Sequence, residues 1–457
     1  MRYDARASAP VAVILAAGAG SRLAPRLNGR TKPEIDVLGM SLVERLVVSC
    51  LEAGVDRFLV VLGHQAGRVR RHFLRIARTR GGRFDFVQAP DWEKGNGASA
   101  LAAESRLGGR PFLLLMADHL VPPALIRAVL TAPPPEGGVT LAVDRDQRNV
   151  VDLDDVTRVA LSGDRVTQIG KGLEPWNAAD TGVFLCTNGL FEALREARQR
   201  DRHVLTDAVR ELARRDRVRA VDVTGADWLD VDTEEALQAA RRRLLRPLSK
   251  GTADGFVSAW LNRPISRRIT ERLAATPLTP DHVSFLAFLL CLGGAVLLMR
   301  GEYVWVLAGG LLVQLASIVD GCDGELARLK HRASARGAWL DTMLDRYADS
   351  AVALAITYAF SQRHPGIWPW TAGMGALAGF LLAGYVTKEY AARFGRDYPD
   401  DVLNRLKRRD LRLLLIAVGA AVNRPFEALV TAGLLSHLCI LGILVSGWRS
   451  ASSRVRA

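Results

Sequence analysis

Four aspartates, Asp320, Asp323, Asp341 and Asp345, stand between apolar runs of membrane length in the second half of the chain. An ionised carboxylate beside such runs is costly, and it persists where it is paired or holds a cation. The stretch DGCDGELARLKHRASARGAWLDTMLD, from Asp320 to Asp345, follows LAGGLLVQLASIV and precedes SAVALAITYAF. If the part from Gly337 onward is helical, Gly337, Asp341 and Asp345 share one face, because residues four apart stack. Asp320 and Asp323 add a second pair from the end of the preceding helix. Carboxylates that face one another repel unless a cation lies between them, and hard divalent cations take oxygen ligands. The spacing therefore predicts a metal site where two membrane helices meet. Gly324 and Gly337 permit close approach, and Arg328 offers a bidentate donor for phosphate. A solvated acidic face on a surface helix is the bland alternative, and the apolar flanks weigh against it.

The apolar runs are confined to the second half. A helix crossing needs roughly 20 residues, and we read crossings near 283 to 299, 303 to 319, 338 to 360, 367 to 387, 411 to 423 and 426 to 447. Residues 1 to 246 are charged and mixed, as in a water-exposed domain; 247 to 280 read as a linker with an amphipathic helix; 281 to 457 form the membrane domain. In the linker, Phe256, Trp260, Ile265 and Ile269 are set among Arg263, Arg267 and Arg268, the pattern of a helix lying on a bilayer surface. The five cysteines are scattered with no C-x-x-C pair, which fits a reducing cytosol and neither a disulfide framework nor a zinc site. No apolar stretch of signal-peptide length precedes Val11.

The net charge of +13 raises the question of nucleic acid. The basic residues crowd membrane-flanking loops without interleaved aromatics, so no nucleic-acid partner is expected, and anionic lipid and phosphate substrates account for the charge. One set of loops holds Arg328, Lys330, Arg332 and Arg336, then Lys388, Arg393, Arg396, Arg405, Lys407, Arg408, Arg409 and Arg412, then Arg449, Arg454 and Arg456. The opposite set holds Arg300, Arg363 and Arg424. Positive loops stay inside, which puts both termini and the aspartate stretch on the cytosolic side of the cell membrane.

In the first half, Val11 to Leu15 reads as a strand that runs into the loop Ala16, Ala17, Gly18, Ala19, Gly20, Ser21, Arg22, followed by Lys32 and Pro33. Glycines after a strand let backbone N–H groups approach phosphate. Phe58 to Leu62 and Pro111 to Met116 read as further parallel strands and Ser41 to Ala53 as a crossover helix, an α/β pattern. Asp118 follows a strand at its carboxyl end, where open α/β sheets bind ligands. The late WLDVDT holds Asp230 and Asp232. Gly95, in EKGNG, is a glycine turn against which a base or ribose can lie. His64 and His119 are expected to be structural or peripheral.

These motifs resemble two families. LAAGAGSRL followed by Lys32-Pro33 resembles the nucleotidyltransferases that activate sugar or alcohol phosphates, with Glu34 where leucine is commoner. That resemblance implies Arg22 and Lys32 as catalytic cations, Ala16, Ala17, Gly18, Gly20 and Gly95 around the nucleotide, and Asp118 and Asp232, preferred over Asp230, as Mg²⁺ ligands. Lys171, Asp180, Thr181, Gly182 and Trp228 stand where that family builds its acceptor pocket. The Asp320 to Asp345 spacing, with Ala327 and Arg328, resembles the CDP-alcohol phosphotransferases. It implies metal ligands Asp320, Asp323, Asp341 and Asp345, Asp345 as general base, and Gly324, Arg328 and Ser334 as nucleotide contacts. Asp281 stands where that family usually has asparagine.

The fold expected is thus an α/β Rossmann-like nucleotidyltransferase domain followed by an all-α domain of six transmembrane helices. The pairing, with EKGNG, DTGVF, WLDVDT, the DGF of the linker and Glu325, resembles the bifunctional inositol-1-phosphate cytidylyltransferase and di-myo-inositol-phosphate phosphate synthase family. The resemblance implies an Mg²⁺-dependent enzyme, with Mn²⁺ as a substitute, acting on CTP, inositol 1-phosphate and a CDP-alcohol within a lipid bilayer. A homodimer through the membrane domain is compatible with it. Lys388, Arg393 and the basic cluster from 405 to 409, Arg408 foremost, are candidate cations for the acceptor phosphate, membrane anchoring being their other role. A lipid acceptor, giving a phospholipid or phosphonolipid headgroup synthase, is the alternative, and a non-catalytic membrane nucleotide sensor is a third reading that CMP release would exclude.

Overall fold

The computed structural model describes residues 10–20, 29–248 and 255–455. The chain divides into two compact units, Met1–Arg243 and Leu244–Ala457.

Unit 1 is built on a nine-stranded mixed sheet. Its strands are β1 (Val11–Ala16), β2 (Arg57–Leu62), β3 (Arg83–Gln88), β4 (Phe112–Met116), β5 (Val139–Asp144), β6 (Arg158–Ser162), β7 (Arg165–Gly170), β8 (Ala178–Cys186) and β9 (Val218–Asp222). The spatial order is β3-β2-β1-β4-β8-β5-β9-β7-β6. β1 lies parallel to both β2 and β4, with Ile14 beside Val60 and Leu115. These central strands are apolar throughout because both of their faces are covered. Period-two alternation sends Val13, Leu15, Leu59, Val61 and Leu114 into one core and Ala12, Ile14, Phe58, Val60 and Leu115 into the other. β8 runs antiparallel to β4 and β5, which makes the sheet mixed. The crossover helix spans Leu42–Glu52 and is capped by Ser41, whose side chain accepts from the Glu44 N–H.

Unit 2 is helical. A single π-helical turn, Ser258–Asn262, leads into α1 (Arg263–Ala274), followed by α2 (Pro280–Met299), α3 (Tyr303–Leu329), α4 (Ala335–Ser361), α5 (Trp368–Phe394), α6 (Arg409–Ala421) and α7 (Pro425–Val455). Each expected crossing coincides with one of α2 to α7. Among the described residues, four spans are long and apolar enough to cross a membrane: α2, α3, α5 and Pro425–Trp448 of α7. α4 falls short because it carries Asp341, Asp345, Arg346 and Asp349, and α6 has only 13 residues. The unit buries small residues and turns large ones outward: Phe285, Leu289, Val296 and Leu311 are exposed, as bilayer-facing side chains must be. α2 and α3 meet through Gly294 and Gly309; a Cβ on either would lie within 3 Å of the other's carbonyl oxygen, at 2.9 and 2.8 Å.

The linker expectation needs one correction. Phe256 and Trp260 do face outward, at 77% and 82% exposure, but Arg263 does not join Arg267 and Arg268 on a wet face. It is buried against α3, because an acidic partner waits there.

Candidate active sites

In unit 1 a cavity of about 560 Å³ opens at the carboxyl ends of β1 and β4. Ala17, Gly18, Gly20 and Gly95 line it, whereas Ala16 lies behind them in the apolar core. Gly20 has φ +66°, and a Cβ there would fall 2.7 Å from the Lys32 Cβ, so the loop can pass this lysine only as glycine. Arg22 lies outside the described residues.

A two-residue ladder completes the site: His119–Leu120 pairs antiparallel with Leu229–Asp230. It brings WLDVDT beside Asp118, two residues past β4, a juxtaposition across more than a hundred residues. Lys32 Nζ donates to Asp118 Oδ2 at 2.6 Å and also to Asp232 Oδ1. His119 Nδ1 lies 2.9 Å from Asp118 Oδ1 and 3.7 Å from Asp230 Oδ1. Asp118, His119 and Asp230 bring ligand atoms within 4.8 Å of one another. His119, expected to be structural or peripheral, stands inside the cluster; its place beside Asp118 in the sequence was the available signal. Burial opposes the charged form of Asp118, yet Lys32 and His119 hold its carboxyl well below the usual carboxylate range. Burial would lower His119, but Asp230 and Asp118 push it up to about 9.

The cavity is also lined by Lys171, Asp180, Gly182 and Trp228, with Gly182 against His119. Lys171 Nζ donates to Asp155 at 2.6 Å, and burial raises Asp180 to about 6. Trp228 Nε1 donates to Asp144 at 2.8 Å, which fixes that wall.

In unit 2 a second cavity, about 440 Å³, is lined by Asp320, Asp323, Asp341 and Asp345 together with Gly324, Arg328, Ser334 and Arg408. The carboxylates of Asp320, Asp341 and Asp345 lie within 4.8 Å of one another. Asp323 accepts from Ser284 Oγ at 2.5 Å. Ser334 caps α4, its Oγ accepting from the Gly337 N–H at 3.0 Å, which starts the helix in the register that aligns Gly337, Asp341 and Asp345. Arg328 Nη2 donates to the Leu248 carbonyl at 2.7 Å. Arg408 pairs with Asp400 at 3.2 Å at the cavity edge. Lys388 and Arg393 are outside the lining; Arg393 pairs with Glu389 on an exposed helix face, as i and i+4 residues do.

The structure adds a cation that the motif does not contain. Arg409 places Nη1 2.7 Å from Asp345 and 3.4 Å from Asp320, and Nε 2.9 Å from Asp349. Arg412 reaches Asp349 from the other side at 3.4 Å. Both sites therefore converge hard oxygen donors around a positive group, Lys32 in one and Arg409 in the other, which is the donor chemistry a divalent cation fits.

The comparisons with known proteins agree with this division. The MobA-like NTP transferase domain family matches residues 12–262, and the CDP-alcohol phosphatidyltransferase family matches 277–444. A protein of Rubrobacter xylanophilus named bifunctional IPC transferase and DIPP synthase is 41% identical over 93% of this chain and 94% of its own length. Proteins of the same name from Thermococcus kodakarensis and Aquifex aeolicus are 35% and 30% identical, covering 92% and 96% of this chain and 93% and 98% of their own lengths.

Proposed function

The chain belongs to the family of the bifunctional IPC transferases and DIPP synthases, and from that membership we propose that it carries out two transfers in sequence. In unit 1 a phosphate oxygen of L-myo-inositol 1-phosphate attacks the α-phosphorus of CTP; pyrophosphate leaves and CDP-inositol forms. In unit 2 a hydroxyl of a second inositol 1-phosphate attacks the β-phosphorus, which bears inositol; CMP leaves and di-myo-inositol phosphate phosphate forms. The observation that carries this reading is the presence, in one chain, of two cavities that each converge carboxylates beside a phosphate-competent cation.

The residues divide the work. Asp118 and Asp232 would hold Mg²⁺ in unit 1, and Asp320, Asp323, Asp341 and Asp345 in unit 2, where the ion neutralises polyphosphate charge; Mn²⁺ suits the same oxygens. Lys32 and Arg22 balance charge on the triphosphate and the incoming phosphate. Lys171 and Asp180 face the polyol end, one suited to a phosphate and the other to hydroxyls. Asp345 takes the proton of the attacking hydroxyl. Gly324 leaves room for the nucleotide, which Arg328 and Ser334 contact. Arg408, at the cavity edge, is the acceptor-phosphate cation best supported by its position.

Unit 2 is the membrane-embedded part. The loop charges support a multi-pass arrangement in the cell membrane with both sites and both termini on the cytosolic side, so that the intermediate made by one unit is released where the other takes it up. A homodimer through unit 2 is consistent with this arrangement.

The test is to supply the purified chain with CTP, Mg²⁺ and labelled inositol 1-phosphate. Pyrophosphate followed by CMP, with the label in a water-soluble product, is expected. Label extracted into organic solvent would assign a lipid acceptor instead, and no CTP turnover with any polyol phosphate would overturn the first half.

A further inference from the structure

Glu325 follows Gly324 directly, lies outside the fixed positions of the aspartate motif, and is fully buried. A buried carboxylate in a membrane helix is costly unless its oxygens are satisfied. Among the described residues its side-chain partners come from one helix, α1: Arg263 Nη1 and Ser266 Oγ donate to Oε1 at 2.8 and 2.7 Å, and Thr270 Oγ1 donates to Oε2 at 2.7 Å. Residues 263, 266 and 270 form one stripe, at i, i+3 and i+7. The turn before it is tied as well: Asn262 donates to Ser317 at 3.2 Å and accepts from Gln314 at 3.0 Å, both on α3.

Two residues along a helix point about 200° apart. Asp323 therefore faces α2, where Ser284 donates to it, and Glu325 faces α1. The last turns of α3 are gripped from opposite sides. A rotation of α3 that redirected Asp320 or Asp323 would break the Glu325 bonds. The same stretch forms part of the cavity wall, through Ser258, Asn262, Arg263 and Ser266.

We propose that Glu325 with Arg263, Ser266 and Thr270 forms a rotational clamp that positions Asp320 and Asp323 for the transfer step, which makes the linker helix a working wall of the second active site rather than a tether. Glu325 and Arg263 are positioning residues. The proposal rests on reading unit 2 as the CDP-alcohol-consuming site.

The experiment compares Glu325→Gln, Arg263→Gln and the double variant in the full-length protein. Three quantities are measured: CMP release from supplied CDP-inositol as Mg²⁺ is varied, CTP turnover, and amide hydrogen exchange. Residues that orient metal ligands typically contribute about 10- to 100-fold. Each single variant is expected to lose CMP release on that scale, to need more Mg²⁺, and to exchange faster in 263–274 and 320–325, with CTP turnover unchanged. The double variant, in which neither charge is left alone, recovers part of the loss. Wild-type release in Glu325→Gln would overturn the clamp. So would losses that the double variant does not relieve, accompanied by faster exchange in every helix of unit 2, since those mark a purely structural pair. If the wild type turns over CTP but releases no CMP from any CDP-alcohol, the transferase reading fails; the clamp is then judged on exchange, and single variants that leave 263–274 as protected as in the wild type would refute it.

Discussion

The Arg409 guanidinium donates to the Asp345 carboxylate at 2.7 Å and lies 3.4 Å from Asp320, so one cation joins the two helices that carry the motif. Asp345 sits one turn deeper along α4 than Asp341, about 6 Å at 1.5 Å per residue. The acceptor hydroxyl rather than the nucleotide should meet it there. Asp345→Asn keeps the volume but removes the base, and CMP release should fall by at least about 10²- to 10⁴-fold. Affinity for the CDP-alcohol should survive better than in Asp320→Asn. Single-turnover release and nucleotide binding, measured in both variants, decide it: equal loss of affinity in the two would mean the base is misassigned.

Asp349 accepts from Arg409 at 2.9 Å and lies 3.4 Å from Arg412, whose guanidinium packs 4.5 Å from the Phe380 ring centre. Removing the shared anion takes from the buried Arg412 the carboxylate beside it, while Arg409 keeps Asp345 and Asp320. Asp349→Ala should cost about 3 to 5 kcal/mol, read as a lowered unfolding temperature of the protein in detergent. Asp349→Asn should cost less. An unchanged unfolding temperature in the alanine variant would show that other groups carry these charges.

Asp118→Ala should abolish CDP-alcohol formation while transfer from supplied CDP-alcohol continues, because the two clusters belong to separate compact units. The assay is pyrophosphate release beside CMP release in the same preparation. Loss of both would count against independent sites.

His72 is buried, and its Nε2 lies 2.7 Å from Ser41 Oγ, the cap of the crossover helix. Burial lowers its pKa. The unfolded chain, with an ordinary histidine pKa near about 6.5, then binds a proton that the folded chain resists. Stability is full above that value and declines as pH falls below it, until the lowered folded value is passed. Thermal inactivation of CTP turnover should therefore become easier on acidification, and His72→Gln should flatten the profile. An identical acid slope in the variant would assign the effect elsewhere.

The amino-acid sequence by itself determined the α/β character of the first half, the helical spans of the second and which motif residues share a helix face. Unbroken apolar strands beside glycine turns can form only a covered sheet, apolar runs of membrane length have to be helices, and Gly337, Asp341 and Asp345 share a face because four residues make about one turn. Those are local periodicities, readable without knowing what packs where. The tertiary structure decided which distant charges meet. Arg263, grouped by the sequence with a wet face, is buried against Glu325. His119 enters the unit 1 cluster because two short strands pair. Arg409, grouped by the sequence with many basic loop residues, opens α6 and reaches Asp345 and Asp349. An ion pair leaves no periodic trace along the chain, since its energy depends on distance and burial in space, and only the packed helices supply both.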